Sequence, residues 1–202
     1  MARIALVHDV AGVAATQAEI LVAAGHDVDH IRMPDFGARW GWFAKALTPI
    51  VRRLRRGGYD VIHIHWIPRG IVGLLSGRPF WIQAHGSDIH EEINTPGLFR
   101  LNRRVLEKAR CVFYVTPNLE PFIHRFDAKL CYLPNPIDVR AVADSPRAPR
   151  RVQSVVVFMR LDPVKGVDRV FPAVRRLAAT LDVTALAWGP LAADFTARYG
   201  DV

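Results

Sequence analysis

Val155-Val156-Val157-Phe158-Met159-Arg160-Leu161-Asp162-Pro163-Val164-Lys165-Gly166 decides how this chain is read. An apolar run ends in Arg160, Asp162-Pro163 turn the chain, and Gly166 opens a helical pattern at Val167, Val170, Val174 and Leu177. A strand thus gives way through a short loop to a helix, the unit from which parallel sheets are built. Arg160 and Lys165 stand beside that helix N-terminus, where unpaired N–H groups and the macrodipole favour an anion. Arg grips phosphate through a planar fork and Lys adds a point charge, while a solvated ion pair accounts for the same two residues.

The same alternation runs upstream. Strand-like runs fall at Arg3 to His8, Asp27 to Ile31, Asp60 to His65, Pro79 to Ala84, Cys111 to Val115 and Lys129 to Leu133. Helical patterns separate them at Gly12 to Ala24, Arg39 to Arg56, Pro96 to Ala109 with Thr95 as N-cap, and after Thr116 with Pro117 in the first position. The expectation is an α/β protein with a doubly wound parallel sheet covered on both faces. Residues 134–153 carry Pro134, Pro136, Pro146 and Pro149 with Arg147, Arg150 and Arg151, and read as a linker before a new strand at Ser154.

Half of the 202 residues are hydrophobic, and no stretch of 18 apolar residues is free of charge, which describes a globular chain with a full core. Ile4 to Val7 before His8-Asp9 is a buried first strand, not a signal peptide. Cys111 and Cys131, without Cys-x-x-Cys spacing, are expected as reduced core thiols of a cytoplasmic protein. The net charge of +8 concentrates in residues 1–150, with twenty basic against fourteen acidic side chains. Phosphorylated substrates, an anionic membrane or nucleic acid would suit it. The absence of zinc-finger spacing, of an RNA-binding sheet signature and of any Lys/Arg run longer than two argues against nucleic acid.

Ligands of such sheets bind at the carboxyl ends of strands. His8, Asp9, Ala11 and Gly12 follow the first strand, and Gly12 either lets backbone approach a phosphate or simply makes a tight turn. His85-Gly86-Ser87-Asp88 either donates to a sugar hydroxyl or is a loop capped by its own Ser and Asp. His63 and His65 share a strand face and read as core or rim histidines rather than zinc ligands. On the helix at residues 39–56, Trp40, Phe43, Leu47, Ile50, Val51 and Leu54 form one stripe. Lys45, Arg52, Arg53, Arg55 and Arg56 lie on the other side, with Trp42. This is a surface helix packed on the sheet, with Pro49 arguing for a kink, or a docking face for anionic lipid.

Residues 155–166, with Tyr132-Leu133-Pro134-Asn135-Pro136-Ile137-Asp138, His85-Gly86-Ser87-Asp88 and Asp60-Val61-Ile62-His63-Ile64-His65, resemble the GT-B glycosyltransferases of family 4, the glycosyltransferase group 1 type. The resemblance runs from residue 3 to the end and is strongest in Arg-Leu-Asp-x-x-Lys-Gly at 160–166. It implies two Rossmann-like domains facing a cleft. A nucleotide-diphosphate sugar is held mainly by the second, and a sugar or lipid-linked acceptor mainly by the first. Arg160 and Lys165 would neutralise the leaving diphosphate, and Gly12 would sit in the loop approaching it. His85 would contact the donor sugar near the reacting carbon as the catalytic residue, and Asp9 and Asp88 would bind acceptor or sugar. Transfer in this family retains anomeric configuration, with no cofactor and usually no bound metal, so cations stabilise the charge growing on the diphosphate.

Met159 and Pro136 stand where the family usually has Gly, Gly12 alone remains of the usual glycine pair, and the paired-glutamate segment has no counterpart. The expected organisation is an acceptor-side Rossmann-like domain at 1–138, a linker at 139–153, and an incomplete nucleotide-sugar-binding domain at 154–202. The chain alone is therefore expected to be inactive. Two other readings stand beside that of a transferase. One is a non-catalytic acceptor- or membrane-binding subunit whose partner chain supplies the donor site. The other is a non-glycosyl α/β protein whose helix 39–56 meets the inner face of the membrane.

Overall fold

The computed structural model describes residues 1–34, 40–126, 129–137, 154–162 and 165–199. The chain forms two compact units, Met1–Ala143 and Asp144–Val202. The linker expected at 139–153 lies outside the described residues.

In the first unit, β1 (Arg3–Val7), β2 (Asp27–Ile31), β3 (Val61–His65), β4 (Trp81–Ala84), β5 (Val112–Tyr114) and β6 (Leu130–Tyr132) form one sheet in the order β2-β1-β3-β4-β5-β6. Every pairing is parallel, with Ile4 opposite Val61 and Ile64 opposite Ile82. Ala5, Leu6, Val7, Ile62, Ile64, Ile82 and Ala84 are buried, as strands covered on both faces require. The helices are α1 (Val13–Ala23), α2 (Trp40–Arg56), α3 (Ile71–Ser76), α4 (Phe99–Lys108) and the single turn α5 (Glu120–Ile123). On α2, Leu47, Ile50 and Leu54 are buried while Arg52, Arg53, Arg55 and Arg56 are exposed. Arg39 and the side chains of Trp40, Trp42 and Phe43 lie outside what is described.

Two expectations are corrected, and one element is added. Between β3 and β4, where the sequence reading placed no helix, Ile67–Gly70, a 3-10 turn, runs directly into α3 against the core. The glycines are there for contact: a Cβ on Gly73 would lie 2.6 Å from the Phe80 ring, and one on Gly70 2.3 Å from Val105. Thr95 does not cap a helix with its side chain, because its Oγ1 donates back to the Glu91 carbonyl at 3.1 Å and α4 begins only at Phe99. Cys131 is exposed, not a core thiol, since three-residue β6 is the sheet's last strand.

In the second unit, β7 (Ser154–Arg160) and β8 (Asp182–Trp188) pair in parallel, with Arg160 opposite Trp188. Helix α6 (Val167–Ala178) sets Val167, Phe171 and Val174 against Val157, Met159, Val183 and Ala185. Full burial of Phe171 stabilises this layer by about 2–3 kcal/mol. The other face carries Val156, Phe158, Leu186 and Trp188, all exposed. Gly189, at φ 120, lets the chain leaving β8 pass Leu161, whose carbonyl oxygen would lie 2.7 Å from a Cβ there. Helix α7 (Ala192–Tyr199) ends the described chain.

Candidate functional site

The strand order reverses direction at β1 and β3, with β2 on one side and β4 to β6 on the other. The carboxyl ends of β1 and β3 therefore border the switch point at which open α/β sheets hold ligands. Among the described residues, three non-glycine residues have positive φ: His8 (66°), Ala11 (52°) and Trp66 (79°). All three lie just beyond those two strand ends. Such backbone costs on the order of 1–3 kcal/mol per residue, and it persists where neighbouring structure over-determines it, often at functional sites.

Asp9 holds the loop after β1. Its Oδ1 accepts from the Ala14 N–H at 3.1 Å, inside the first turn of α1, and its Oδ2 lies 3.8 Å from His30 Nε2. A carboxylate thus already occupies the positive end of α1. Gly12, at φ 81, supplies the left-handed turn into the helix, and nothing lies within 4 Å of where its Cβ would be.

After β4, Asp88 is completely buried. Its Oδ1 accepts from the N–H groups of His85 and Gly86 at 3.0 and 2.9 Å, and its Oδ2 from that of Ile67 at 3.1 Å. Burial pushes its carboxyl up to about 6 against the pull of those three donors. Asp88 therefore frames the loop by tying it to the chain after β3, which corrects the expectation of a sugar-facing carboxylate. A π-helical turn at Asp88–Glu92 follows, and Glu92 accepts from Trp66 Nε1–H at 2.8 Å.

This framing fixes His85. Its Nε2 lies 3.0 Å from Nδ1 of fully buried His65, with those two rings stacked at 5.2 Å and the Trp66 ring stacked near His85 at 6.4 Å. Burial, reinforced by neighbouring histidines, pushes His65 down to about 2, and burial pushes His63 and His85 to about 4. All three rings are neutral near pH 7, so His85 is available as a hydrogen-bonding group and not as a cation. His63 stacks on His65 at 4.7 Å as a core residue. Among the described residues no group of three His, Cys, Asp or Glu side chains is placed to hold a metal. Sequence reasoning missed Gln83: wholly buried on β4, it accepts from Gln17 at 3.0 Å and donates to Asn135 at 3.1 Å, anchoring the segment after β6.

In the second unit, Arg160 ends β7, and its Nη2 meets Asp162 Oδ2 at 3.1 Å. The Lys165 N–H donates to the Asp162 carbonyl at 2.9 Å, and the Lys165 side chain is exposed. Gly166, at φ 67, precedes α6 without any side-chain cap. The two expected cations thus stand in the loop between β7 and α6, a helix that begins without a side-chain cap among the described residues. Pro163 and Val164 lie outside the described residues.

The glycosyl transferase 4-like domain profile matches residues 4–136. Three solved structures of Anabaena Alr3699/HepE resemble most of the chain. The complex with UDP-glucose has 14% identity, a TM-score of 0.55, and covers 93% of this chain and 69% of the other. The complex with UDP and glucose has 15% identity, a TM-score of 0.52, and covers 93% and 70%. The complex with UDP has 14% identity, a TM-score of 0.50, and covers 93% and 69%. At such identities the likeness is one of fold. No curated protein sequence matches the chain.

Proposed function

The chain belongs to the glycosyl transferase 4-like domain family, and from that premise we propose that it serves transfer of a hexosyl group from a nucleotide-diphosphate sugar to an acceptor, with retention of configuration. The strained backbone at His8, Ala11 and Trp66, gathered at the switch point, carries this reading. It supports a reacting end of the first unit at the carboxyl ends of β1, β3 and β4, beside His85. Arg160 and Lys165, beside the uncapped N-terminus of α6, bind the diphosphate. Because Asp9 already fills the N-terminus of α1, Gly12 contributes open space rather than a phosphate contact. His85 hydrogen-bonds the donor sugar, and Asp9 orders the loop against which the acceptor rests. The UDP and UDP-glucose held by the Anabaena structures support a nucleotide sugar as donor. Helix α2 contributes a contact to anionic lipid, which would place the protein peripherally at the inner face of the membrane. Among the described residues no helix is long and apolar enough to cross one.

The test is isothermal titration with UDP-glucose, followed by a radiolabelled transfer assay against lipid extract. Saturable binding is expected, and its absence for every nucleotide sugar tried would remove the proposal. One observation favours a second reading, a binding subunit completed by another chain: the exposed apolar face of Val156, Phe158, Leu186 and Trp188. A native mass above that of one chain, in a stoichiometric complex with a different protein, would select it.

A further inference from the structure

At the amino ends of the strands, opposite the switch point, a cavity of about 610 Å³ is lined by Arg3, Lys45, Arg52, Arg53 and Arg56 over Tyr59. Asp29 is the one carboxylate among the described residues of its lining. It is already committed, accepting from Arg53 Nη2 at 2.6 Å and from the Tyr59 hydroxyl. Arg3 is held in turn by Asp27 at 3.2 Å, by the Gly57 carbonyl at 2.7 Å, and over the Tyr59 ring at 5.2 Å. Arg3 and Arg53 are therefore rigid walls. Arg55, expected among the lipid-facing cations, turns away and donates to the Leu75 and Ser76 carbonyls at the end of α3.

Lys45, Arg52 and Arg56 remain, all exposed, and no hydrogen bond or ion pair joins them to a described residue. Seven and four residues apart, they fall within about 40° of one another around a helix advancing 100° per residue. Three like charges on one stripe, unpaired among the described residues, repel each other. An anion with more than one charge, seated in the cavity, would relieve that repulsion, and the fork of Arg suits phosphate oxygens.

We infer that this cavity binds a multiply charged phosphate, either the phosphomonoester of a lipid headgroup or a soluble diphosphate. The inference deepens the lipid contact proposed for α2 and rests on that reading only for one of the two sources of the phosphate. Within the first unit the cavity lies at the other end of the sheet from His85, because β1 sets roughly 13 Å between Arg3 and the switch-point end.

The test uses the full chain with Arg160→Ala and Lys165→Ala, so that the proposed donor-phosphate site does not contribute. Inorganic pyrophosphate is titrated by calorimetry, and phosphatidylcholine vesicles doped with phosphatidic acid are co-sedimented at low salt. Both are repeated after adding Arg52→Ser and Arg56→Ser. Binding that weakens at least tenfold with those changes, at unchanged circular dichroism, is the expected result; if the spectrum changes, Lys45→Ser is read instead. Vesicle binding displaced by pyrophosphate identifies a lipid source, and pyrophosphate binding without vesicle binding identifies a soluble one; both uphold the site. No binding of either probe, equal binding with and without the arginines, or vesicle binding that pyrophosphate does not displace overturns it. Failure of the transferase reading would show separately, as loss of UDP-glucose binding by the chain with Arg160 and Lys165 intact.

Discussion

His65 Nδ1 and His85 Nε2 stand 3.0 Å apart, so a single proton lies between two neutral rings and the tautomer of one fixes that of the other. The remaining nitrogen of His65 is buried without a partner. An orphaned lone pair is cheaper there than an orphaned N–H, which makes His65 Nδ1 the donor and leaves His85 its proton on Nδ1. His85→Ala is expected to lower kcat of transfer by roughly 10²-fold with donor KM little changed, as for a donor acting on developing charge. His65→Phe, which keeps the bulk and removes the hydrogen bond, should lower kcat by a smaller factor. Unchanged kcat in both variants would exclude the pair from the reaction.

Acid should destabilise the first unit. His63, His65 and His85 have folded values below the ordinary 6.5, so the unfolded chain takes up protons first as pH falls. Their contribution is complete above about 6.5 and is lost toward 4. For buried His63, a fall from 6.5 to about 4 corresponds to roughly 3 kcal/mol. Asp88 opposes them: its value is raised, so it contributes most below the unfolded value and loses that contribution as pH rises through about 6. Three groups against one predict a urea midpoint that drops steadily from pH 7 to pH 4.5. His63→Phe should flatten this profile. A midpoint independent of pH over that range would contradict the buried neutral rings.

The fold was largely legible because β1 carries the apolar run Ile4 to Val7, β3 sets Val61, Ile62 and Ile64 in a short strand-like run, and α2 repeats Leu47, Ile50 and Leu54 at helical spacing. Illegible parts depend on contacts distant in sequence. Pro68, Gly70 and Gly73 signal a break locally, and only Phe80 and Val105 show why small residues belong in a packed helical segment. Asp88 looks like a ligand residue until the Ile67 N–H, 21 positions away, claims its second oxygen. His85 could be singled out from its neighbours Gly86 and Asp88, whereas its pairing with His65 required β3 and β4 to lie side by side. No local signal marked the strain at His8, Ala11 and Trp66.

Arg160→Ala and Lys165→Ala should each weaken UDP-glucose binding by roughly tenfold or more, the scale of one charge-assisted hydrogen bond. Asp162→Asn is a sharper probe, because it removes the carboxylate that orients Arg160 while retaining the cation. Freeing the guanidinium from a competing anion strengthens its pull, but loss of orientation opposes this, so a change under threefold is expected. Titration calorimetry at two salt concentrations separates them: the Ala variants lose salt dependence and the Asn variant keeps it. Wild-type affinity in both Ala variants would sink the phosphate assignment.

Gly73→Ala tests whether close packing or backbone freedom explains the glycines between β3 and β4. Gly73 lies within α3, where Ala is the better helix former, so propensity alone predicts a gain of up to about 1 kcal/mol. The Cβ would instead meet Phe80 at 2.6 Å and Ile64 Cδ1 at 2.9 Å, and overpacking of a buried ring costs about 1–3 kcal/mol. The clash outweighs the propensity, and the urea midpoint should fall. Gly77→Ala provides the contrast: its site has φ 68 and nothing within 4 Å, so only the left-handed conformation is strained, at about 1 kcal/mol. Pairing Gly73→Ala with Phe80→Leu should restore part of the loss by making room for the methyl group, whereas Gly77→Ala should add independently to Phe80→Leu. Additive losses for Gly73→Ala with Phe80→Leu would show that the two residues do not touch and that α3 is seated elsewhere.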